Sequence, residues 1–244
     1  MTLQEKRKFI EDNKAKLTEE EINFFKFNFA CVYTRNSISI EHGKKELPIG
    51  DIMDIVRGRP VNCNEDLKRS VYNHYCAYLD IVEAAESGAA FTEDLLKNTH
   101  TTLTKGVNDL PGGLYRNVDI SIKGSNHTPP SYIKVYDRMH KYFDAINNSN
   151  EDPVKLACYA HLQLAKIHPF LDGNGRLSRL MMNFVLIKNG LLPISISVKK
   201  RLQYFTFLEE FKVNKNPQPF EEFIYGLLDA EYDRLMALIN VKEN

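Results

Sequence analysis

The sequence predicts a mainly α-helical fold, a bundle of several helices that carries one small β-hairpin. Three observations predict it. Capped segments with apolar residues at helical spacing follow one another along most of the 244 residues. The stretch 110–130 instead places glycines before Leu114 and then alternates in Val118, Ile120 and Ile122, which is typical of a hairpin. The segments 156–167 and 177–187 are apolar on nearly all sides, as expected of central buried helices.

The first helices are predicted from their capping residues. Thr18 is followed three residues later by Glu21, a capping box that opens a helix running to about Tyr33. A second, short helix fits Ser37 to Glu41, and a third fits 48–56, before a glycine and a proline. The remaining helices are predicted over 65–86, 92–105, 132–146, 153–167, 174–187, 198–211 and 220–238.

Composition excludes several classes of protein. Thirty-two basic residues balance thirty-two acidic ones, which argues against broad nucleic-acid binding, since that needs a basic face, and leaves a local basic pocket open. The first sixteen residues are too charged for a signal peptide, and no run reaches the ~20 apolar residues of a membrane span. We expect a cytoplasmic protein with a single domain over 1–244. The four cysteines lie far apart and are read as buried thiols of a reducing compartment: Cys31, Cys63, Cys76 and Cys158.

Chemistry is concentrated between Ile167 and Arg179. Proline at 169 biases His168 away from helical geometry, so one helix ends there, and a new helix begins after the Asp-Gly-Asn-Gly loop. The first amides of a helix lack partners and form an anion site. Arg176 and Arg179 are three residues apart, on one face of the first turn. Two guanidiniums beside free amides suit a polyphosphate.

Two further residues of this segment indicate a transfer reaction. Asp172 stands beside the expected phosphate site, where a carboxylate needs a shared cation, so it indicates Mg²⁺. His168 is placed to accept a proton at neutral pH. The alternatives are a structural histidine at a helix end and a calcium loop. The calcium loop is disfavoured by Arg176 at its fifth position and by the absence of a glutamate at its twelfth.

The run His-Pro-Phe-Leu-Asp-Gly-Asn-Gly-Arg-Leu-Ser-Arg resembles the signature of Fic-domain proteins. The resemblance implies a Fic fold that moves AMP from ATP, with Mg²⁺, to a Ser, Thr or Tyr hydroxyl of a target protein. It makes His168 the catalytic base and Asp172 the metal ligand. It assigns the phosphates to the loop and the first turns of the following helix: Asp172, Gly173, Asn174, Gly175, Arg176, Leu177, Ser178 and Arg179.

A second block is similar to the Fic flap, a hairpin next to the active site. It runs from Pro111-Gly-Gly-Leu-Tyr-Arg116 through His127-Thr-Pro-Pro130. The resemblance implies that an extended segment of the target protein pairs with the edge of the flap over 111–130. It also implies that the flap approaches the nucleotide through Gly124, Ser125, Asn126 and His127.

The motif Ser37-Ile-Ser-Ile-Glu41 is similar to the inhibitory motif of one Fic class, within an N-terminal region 1–60 that precedes a core of 90–230. The resemblance implies that Glu41 pairs with Arg179 and removes the partner of the γ-phosphate. The inhibitory helix would span about 37–43. The chain departs from the family pattern here, with His42 at the Gly/Asn position and Gly43 one residue later, and a plain short-helix glutamate is the alternative.

Tyr204 and Phe205 resemble an aromatic pair that flanks the nucleoside in the family. Phe205 replaces the second tyrosine and Lys212 stands where an asparagine is expected, so the base of the donor nucleotide is left open. Homodimers are common in the family. The leading hypothesis is therefore an autoinhibited protein adenylyltransferase. The alternatives are removal of AMP by means of Glu41, and a nucleotide-sensing module without turnover.

Overall fold

The chain is described by a computed structural model over residues 1–42, 47–107 and 111–241, with only the backbone of His42 described. Within these ranges it is built from ten α-helices and three short 3₁₀ turns, and it contains no β-strand. The helices are α1 (Leu3–Asn13), α2 (Glu19–His42), α3 (Ile49–Val56), α4 (Glu65–Glu86), α5 (Glu93–Thr104), α6 (Val135–Asn147), α7 (Pro153–Ile167), α8 (Asn174–Lys188), α9 (Arg201–Asn214) and α10 (Gln218–Asn240).

Helices α7 and α8 form the centre of the fold, as their apolar sequences predict. They pack against each other, and α4 covers α8 from another side. Every residue of α8 from Arg176 to Leu186 is buried. Asp152 caps α7 through its side chain and Pro153 occupies the first turn, which confirms the predicted start of that helix. The loop between these two helices is therefore held at the most tightly packed part of the molecule.

Helix α2 differs from the prediction of two separate helices. The capping box of Thr18 and Glu21 is present, with Glu21 N donating to Thr18 Oγ1 at 3.2 Å. The helix then continues without a break to His42, because no glycine or proline interrupts it. Polar residues of its second half are buried and bonded within the core, which the solvent-exposed helix pattern does not anticipate. The expected inhibitory helix over 37–43 is the end of α2, although Gly43 lies outside the described residues.

The amino terminus forms a helix that the prediction omitted. Thr2 and Glu5 make a capping box at the start of α1. The Lys6 ammonium group then bridges to α10, at 2.7 Å from Asp229 Oδ1 and 2.5 Å from Asp233 Oδ1. Polar anchoring of this kind fixes α1 against α10, so apolar periodicity alone gives little sign of it.

The predicted β-hairpin over 111–130 is wrong for the part of the chain that the structure describes, and Leu110 lies outside it. Residues 111–131 form turns and bends without strand pairing. Carbonyl groups that a hairpin would use across its strands accept instead from the Arg116 guanidinium, which binds Val118 O at 2.9 Å and also Pro130 O. The backbone N–H of Tyr132 donates to Asp119 Oδ1 at 2.7 Å. Hydrogen bonds from side chains thus take the place of the backbone hydrogen bonds of a β-ladder.

None of the helices in the described ranges combines the length and apolar character that crossing a lipid bilayer requires.

Candidate active site

His168 lies at the end of α7 in a left-handed conformation, with φ 53° and ψ 59°. Non-glycine residues rarely adopt this region, so surrounding contacts must hold it. Its backbone N–H donates to Leu164 O at 2.9 Å, and its carbonyl accepts from Arg116 Nε at 2.9 Å. The side-chain Nδ1 lies 3.3 Å from Ala165 O. Because a carbonyl only accepts, this bond assigns the proton to Nδ1 and leaves Nε2 with a free lone pair.

The electrostatic surroundings favour the neutral form of this ring. Burial lowers the pKa of His168 from its usual 6.5 to about 4, with Lys212 acting in the same direction and the bond to Ala165 opposing it. At neutral pH the imidazole is therefore uncharged. A neutral imidazole with a free Nε2 is able to accept a proton.

The loop after His168 is closed by its own side chains. The Asn174 amide accepts from Phe170 N at 2.9 Å and donates to Phe170 O at 2.8 Å. Asp172 Oδ1 accepts from Gly173 N at 2.6 Å, and Gly173 has a φ of 78° that favours glycine. Asn174 thus shapes the loop through its side chain. Its backbone N–H and those of the next two residues begin α8 without acceptors in the helix.

His100 supports the same loop from α5, although no motif in the sequence singles it out. Its Nδ1 accepts from Gly113 N at 2.9 Å, so Nε2 carries the proton and donates to Asp172 O at 2.9 Å. The ring stacks on Phe170 with centroids 3.8 Å apart. One buried side chain therefore joins the loop after His168 to the segment 111–116. A lone histidine at a helical position offers no sequence signal for such a role.

The two predicted arginines occupy different environments. Arg176 is buried and its Nη2 lies 3.2 Å from Asp172 Oδ2, whereas its Nε has no hydrogen-bond partner among the described residues. A buried guanidinium N–H without an acceptor is unusual and suits an anionic ligand. Arg179 is almost fully buried, with Nη2 at 2.7 Å from Glu41 Oε1. The pairing of Glu41 and Arg179 expected from the resemblance is thus present.

Glu41 also lies against the first turn of α8. A β-carbon at position 175 would come within 3.0 Å of the Glu41 carboxyl carbon, so only glycine leaves room for this carboxylate. Glu41 therefore lies between Arg179 and the first turn of α8, next to the free amides that favour an anion there. The same approach would admit a phosphate oxygen in its place.

Ser37 accepts two hydrogen bonds from Arg179, although the sequence analysis selected it only as part of a motif. Arg179 Nε donates to Ser37 Oγ at 2.9 Å, and Nη2 donates to Ser37 O at 2.8 Å. The Ser37 hydroxyl also lies 2.8 Å from His74 Nε2, from α4. Burial keeps the pKa of His74 well below its usual value, and the nearby arginines act in the same direction. Neutral His74 is thus a second partner of the Ser37 hydroxyl, and the sequence analysis did not identify it.

The residues expected at the nucleoside end are not arranged as a free stacking surface. Tyr204 is buried, and its hydroxyl lies 2.9 Å from His161 Nε2 and 3.2 Å from Arg179 Nη1. Phe205 is half-buried, with the Arg201 guanidinium carbon 4.7 Å from its ring centroid. The Tyr204 hydroxyl thus accepts from Arg179, whereas the resemblance implied that Tyr204 and Phe205 flank a nucleoside. Leu177 and Ser178 are fully buried in α8, where the Ser178 hydroxyl donates to Asn174 O at 2.7 Å.

The predicted flap residues lie beside α9. Ser125 Oγ donates to Glu209 Oε2 at 2.6 Å, and Asn126 N donates to Glu209 Oε1 at 2.6 Å. His127 Nε2 lies 3.0 Å from Lys166 O, near the end of α7. Gly124 has a φ of 78°, and a β-carbon placed there would meet no described atom within 4 Å. Glu209 was not foreseen, because nothing near it in sequence links it to a segment about eighty residues earlier.

The donor set at Asp172 fits a magnesium ion that is shared with phosphate. No group of three or more His, Cys, Asp or Glu side chains is placed to hold a metal in the described part of the chain. Asp172 is half-exposed, and among the described residues its two oxygens accept only from Gly173 N and Arg176. Magnesium often binds through one or two carboxylates, with water and substrate phosphates completing the shell. A single available carboxylate next to an anion site fits that pattern.

Relatives of known name share this sequence core. The profile of the Fic/DOC family matches residues 90–186. The Drosophila persimilis protein named protein adenylyltransferase Fic is 34% identical over 144 residues, which is 58% of this chain. The aligned part makes up 28% of that protein, so the chain spans less than a third of the length of the curated relatives it matches.

Solved structures share the fold. A Fic domain containing signaling protein from Bacteroides thetaiotaomicron superposes with a TM-score of 0.85 at 22% identity, covering 99% of this chain and 96% of that chain. The N-terminal Fic domain of a VirB-translocated Bep effector from Bartonella quintana, with bound ADP, gives 0.52 at 19% identity, covering 67% of this chain and 84% of that chain. These likenesses show that the chain has a Fic fold. Within that fold, residues 90–186 match the profile of the Fic/DOC family.

Proposed function

We propose that this chain transfers AMP from ATP to a Ser, Thr or Tyr hydroxyl of a target protein. The anion site at the start of α8 is the observation that carries the proposal. The Glu41 carboxylate binds Arg179 and lies against Gly175, in the helix turn that also carries the free amides and the buried Arg176. The amides and guanidiniums of such a helix start can bind phosphate. His168, with its free Nε2, stands at the other end of the same loop.

The proposed reaction follows from these groups. Nε2 of His168 accepts the proton of the attacking hydroxyl, whose oxygen bonds to the α-phosphorus while the bond to the β-phosphate oxygen breaks. The products are the AMP ester of the target, pyrophosphate and protonated His168. The amides of α8 and the unpartnered Nε of Arg176 donate to phosphate oxygens. Asp172 would hold Mg²⁺, which would neutralise charge on the phosphates.

The position of Glu41 supports an autoinhibited form of this reaction. Its carboxylate takes both the Arg179 Nη2 donor and the space above Gly175. A γ-phosphate on Arg179 would meet that carboxylate and be repelled by it. ATP would then bind weakly, or with its α-phosphate out of line for attack. Under this proposal, residues 1–60 regulate a core of 90–230 within one domain.

The relatives support transfer as the activity. The Drosophila persimilis protein bears the name protein adenylyltransferase, and the Bartonella quintana domain holds ADP. We extend these properties to this chain because its own His168 and anion site meet the requirements of the reaction. A protein target, ATP as co-substrate and a homodimer are parts of the same proposal.

Mass spectrometry tests the proposal. Glu41→Gly protein is incubated with mixed nucleotides, Mg²⁺ and a total protein extract, and the added mass is read on every modified protein. We expect addition of AMP, carried by α-labelled ATP, and about 10³-fold less of it in Glu41→Gly/His168→Ala, since general-base catalysis contributes about 10²–10⁴.

Two outcomes would reject the proposal. Equal labelling by the variants with and without His168 would show that His168 is not the general base. Tight Mg²⁺-dependent ATP binding by calorimetry, without transfer by Glu41→Gly to any extract protein, would favour a nucleotide sensor instead.

A further inference from the structure

The flap loop, residues 117–130, lacks strand pairing. Side chains fix it at its base and at its tip. Arg116 fixes its base. The guanidinium is fully buried and donates to Val118 O and Pro130 O, on opposite sides of the loop, while Nε donates to His168 O. The base of the loop is thereby tied to the backbone of the residue proposed as the catalytic base.

The carboxylate of Glu209 fixes the tip of the loop. Both of its oxygens accept at 2.6 Å, one from Ser125 Oγ and one from Asn126 N. Hydrogen bonds to a charged carboxylate at this distance are among the stronger ones in proteins. Ser125 Oγ also accepts from His127 N at 3.2 Å, which closes the turn around the same carboxylate. The tip is therefore bonded to α9 as well as within its own turn, where Ser125 N donates to Ile122 O at 3.1 Å.

The neighbouring glutamate shows that this arrangement is specific. Glu210 also lies on α9, but within the described part of the chain its oxygens accept only from Asn214 and Asn216, at the end of that helix and just beyond it. Glu209 instead bonds to a segment 83 residues away along the chain. The adjoining loop residues Lys123 and Gly124 are exposed. Without Glu209, the tip would retain the contact between His127 and Lys166 O at 3.0 Å.

We propose that Glu209 is a positioning residue for the transfer reaction, because it holds the tip of the flap loop in register with His168. This inference rests on the proposed function. The loop is bonded at its base to the carbonyl of His168 and at its tip to α9, so a target segment lying along it is aligned with Nε2 of His168. Loosening the tip should weaken use of the protein target more than ATP binding, because the phosphate contacts of α8 are kept although the tip is expected to approach the nucleotide.

Limited trypsin digestion tests the anchor without any need for activity. Cleavage after Lys123 is followed by mass spectrometry of the fragment 1–123. We expect it to become about tenfold faster in Glu209→Ala, because the loop opens more often once its charged hydrogen bonds are lost. Glu209→Gln retains an acceptor and a donor in the same place and should restore most of the protection. Glu210→Ala is the matched control and should cleave at the parental rate.

Labelling tests the positioning role. In the Glu41→Gly background, extract proteins are labelled from α-labelled ATP over a range of extract and ATP concentrations. With Glu209→Ala added, we expect the half-saturating extract concentration to rise about tenfold, because binding of the target is weakened. The half-saturating ATP concentration should stay within about twofold, since no phosphate contact is lost. Glu209→Gln should recover most of the parental value.

The outcomes separate the two proposals. Cleavage after Lys123 at the parental rate in Glu209→Ala would overturn the anchor. Faster cleavage with unchanged dependence on extract would overturn the positioning role while leaving AMP transfer intact. Absence of labelling in every variant would overturn AMP transfer, and the positioning role with it, whatever the digestion shows.

Discussion

The catalytic loop between α7 and α8 and the flap loop are neighbours that are built in different ways. The catalytic loop is closed mainly by bonds between residues four apart or fewer, such as those of Asn174 to Phe170, and is supported from outside by His100 and Arg116. The flap loop is fixed by Arg116 and Glu209, whose partners lie as far as 84 residues away. A loop of the first kind carries most of its conformation in its own sequence. A loop of the second kind takes most of its conformation from what surrounds it.

The largest effect should come from Arg116, the residue that links the two loops. Arg116→Met would leave the carbonyls of His168, Val118 and Pro130 without their donor, inside the protein. We expect the free energy of unfolding to fall by about 3–5 kcal/mol, since each buried carbonyl left unsatisfied costs about 1–3 kcal/mol. Urea denaturation measures it.

Arg138→Met provides the control, because Arg138 is exposed on α6. An equal loss of stability in both variants would show that the guanidinium of Arg116 has no special role in joining the loops.

A somewhat smaller effect is expected within the catalytic loop. Asn174→Ala removes both side-chain bonds to Phe170 and should lower the free energy of unfolding by about 2–3 kcal/mol. Asn174→Asp keeps the acceptor for Phe170 N and should fall between the parent and alanine. Asn148→Ala, which removes an exposed bond to Asp144 O, is the matched control. If Asn174→Ala unfolds at the parental urea concentration, the loop is not held by its own side chains.

Gly175 allows the contact between α2 and α8 to be measured. Gly175→Ala should lower stability by about 1–2 kcal/mol when Glu41 is present, because the new methyl group meets its carboxylate. In Glu41→Gly protein the same change should be neutral or stabilising by up to about 1 kcal/mol, since alanine favours helix. A double-mutant cycle in urea gives the difference. Equal effects in both backgrounds would contradict the close approach of Glu41 to α8.

The smallest effect concerns the proton on His168. Burial sets its pKa at about 4 in the folded chain, below the usual 6.5, so below pH 6.5 the unfolded chain binds more protons. Stability from this group is full above pH 6.5 and is lost as pH falls towards 4. Asparagine tolerates the left-handed conformation, so it can replace His168. In His168→Asn the free energy of unfolding should fall less between pH 6.5 and 5.5 than in the parent, by a difference of less than about 1 kcal/mol. Urea unfolding at several pH values compares parent and His168→Asn, and an unchanged pH dependence would place the pKa near 6.5.

The pattern of helices was predictable because caps and apolar periodicity are local. The start of α7 at Pro153 and the start of α8 after the glycine loop follow from such signals. Three features escaped: α1, the unbroken length of α2, and the absence of strands in the part of 111–130 that the structure describes. The position of α1 and the course of 111–130 depend on side-chain contacts such as Lys6 with Asp229, for which periodicity carries no information. The continuity of α2 has a local reason, since no glycine or proline interrupts it.

The sequence by itself determined that an imidazole, a carboxylate and two guanidiniums border one glycine loop at the amino terminus of a helix, because twelve consecutive residues carry that geometry. The tertiary structure decided how those groups are used. It turned Arg179 onto Ser37 and Glu41, buried Tyr204 behind it, and bonded the flap loop to Glu209. The physical reason is range, since caps and glycines act over a few residues, whereas buried charges are satisfied by whichever partners packing brings near.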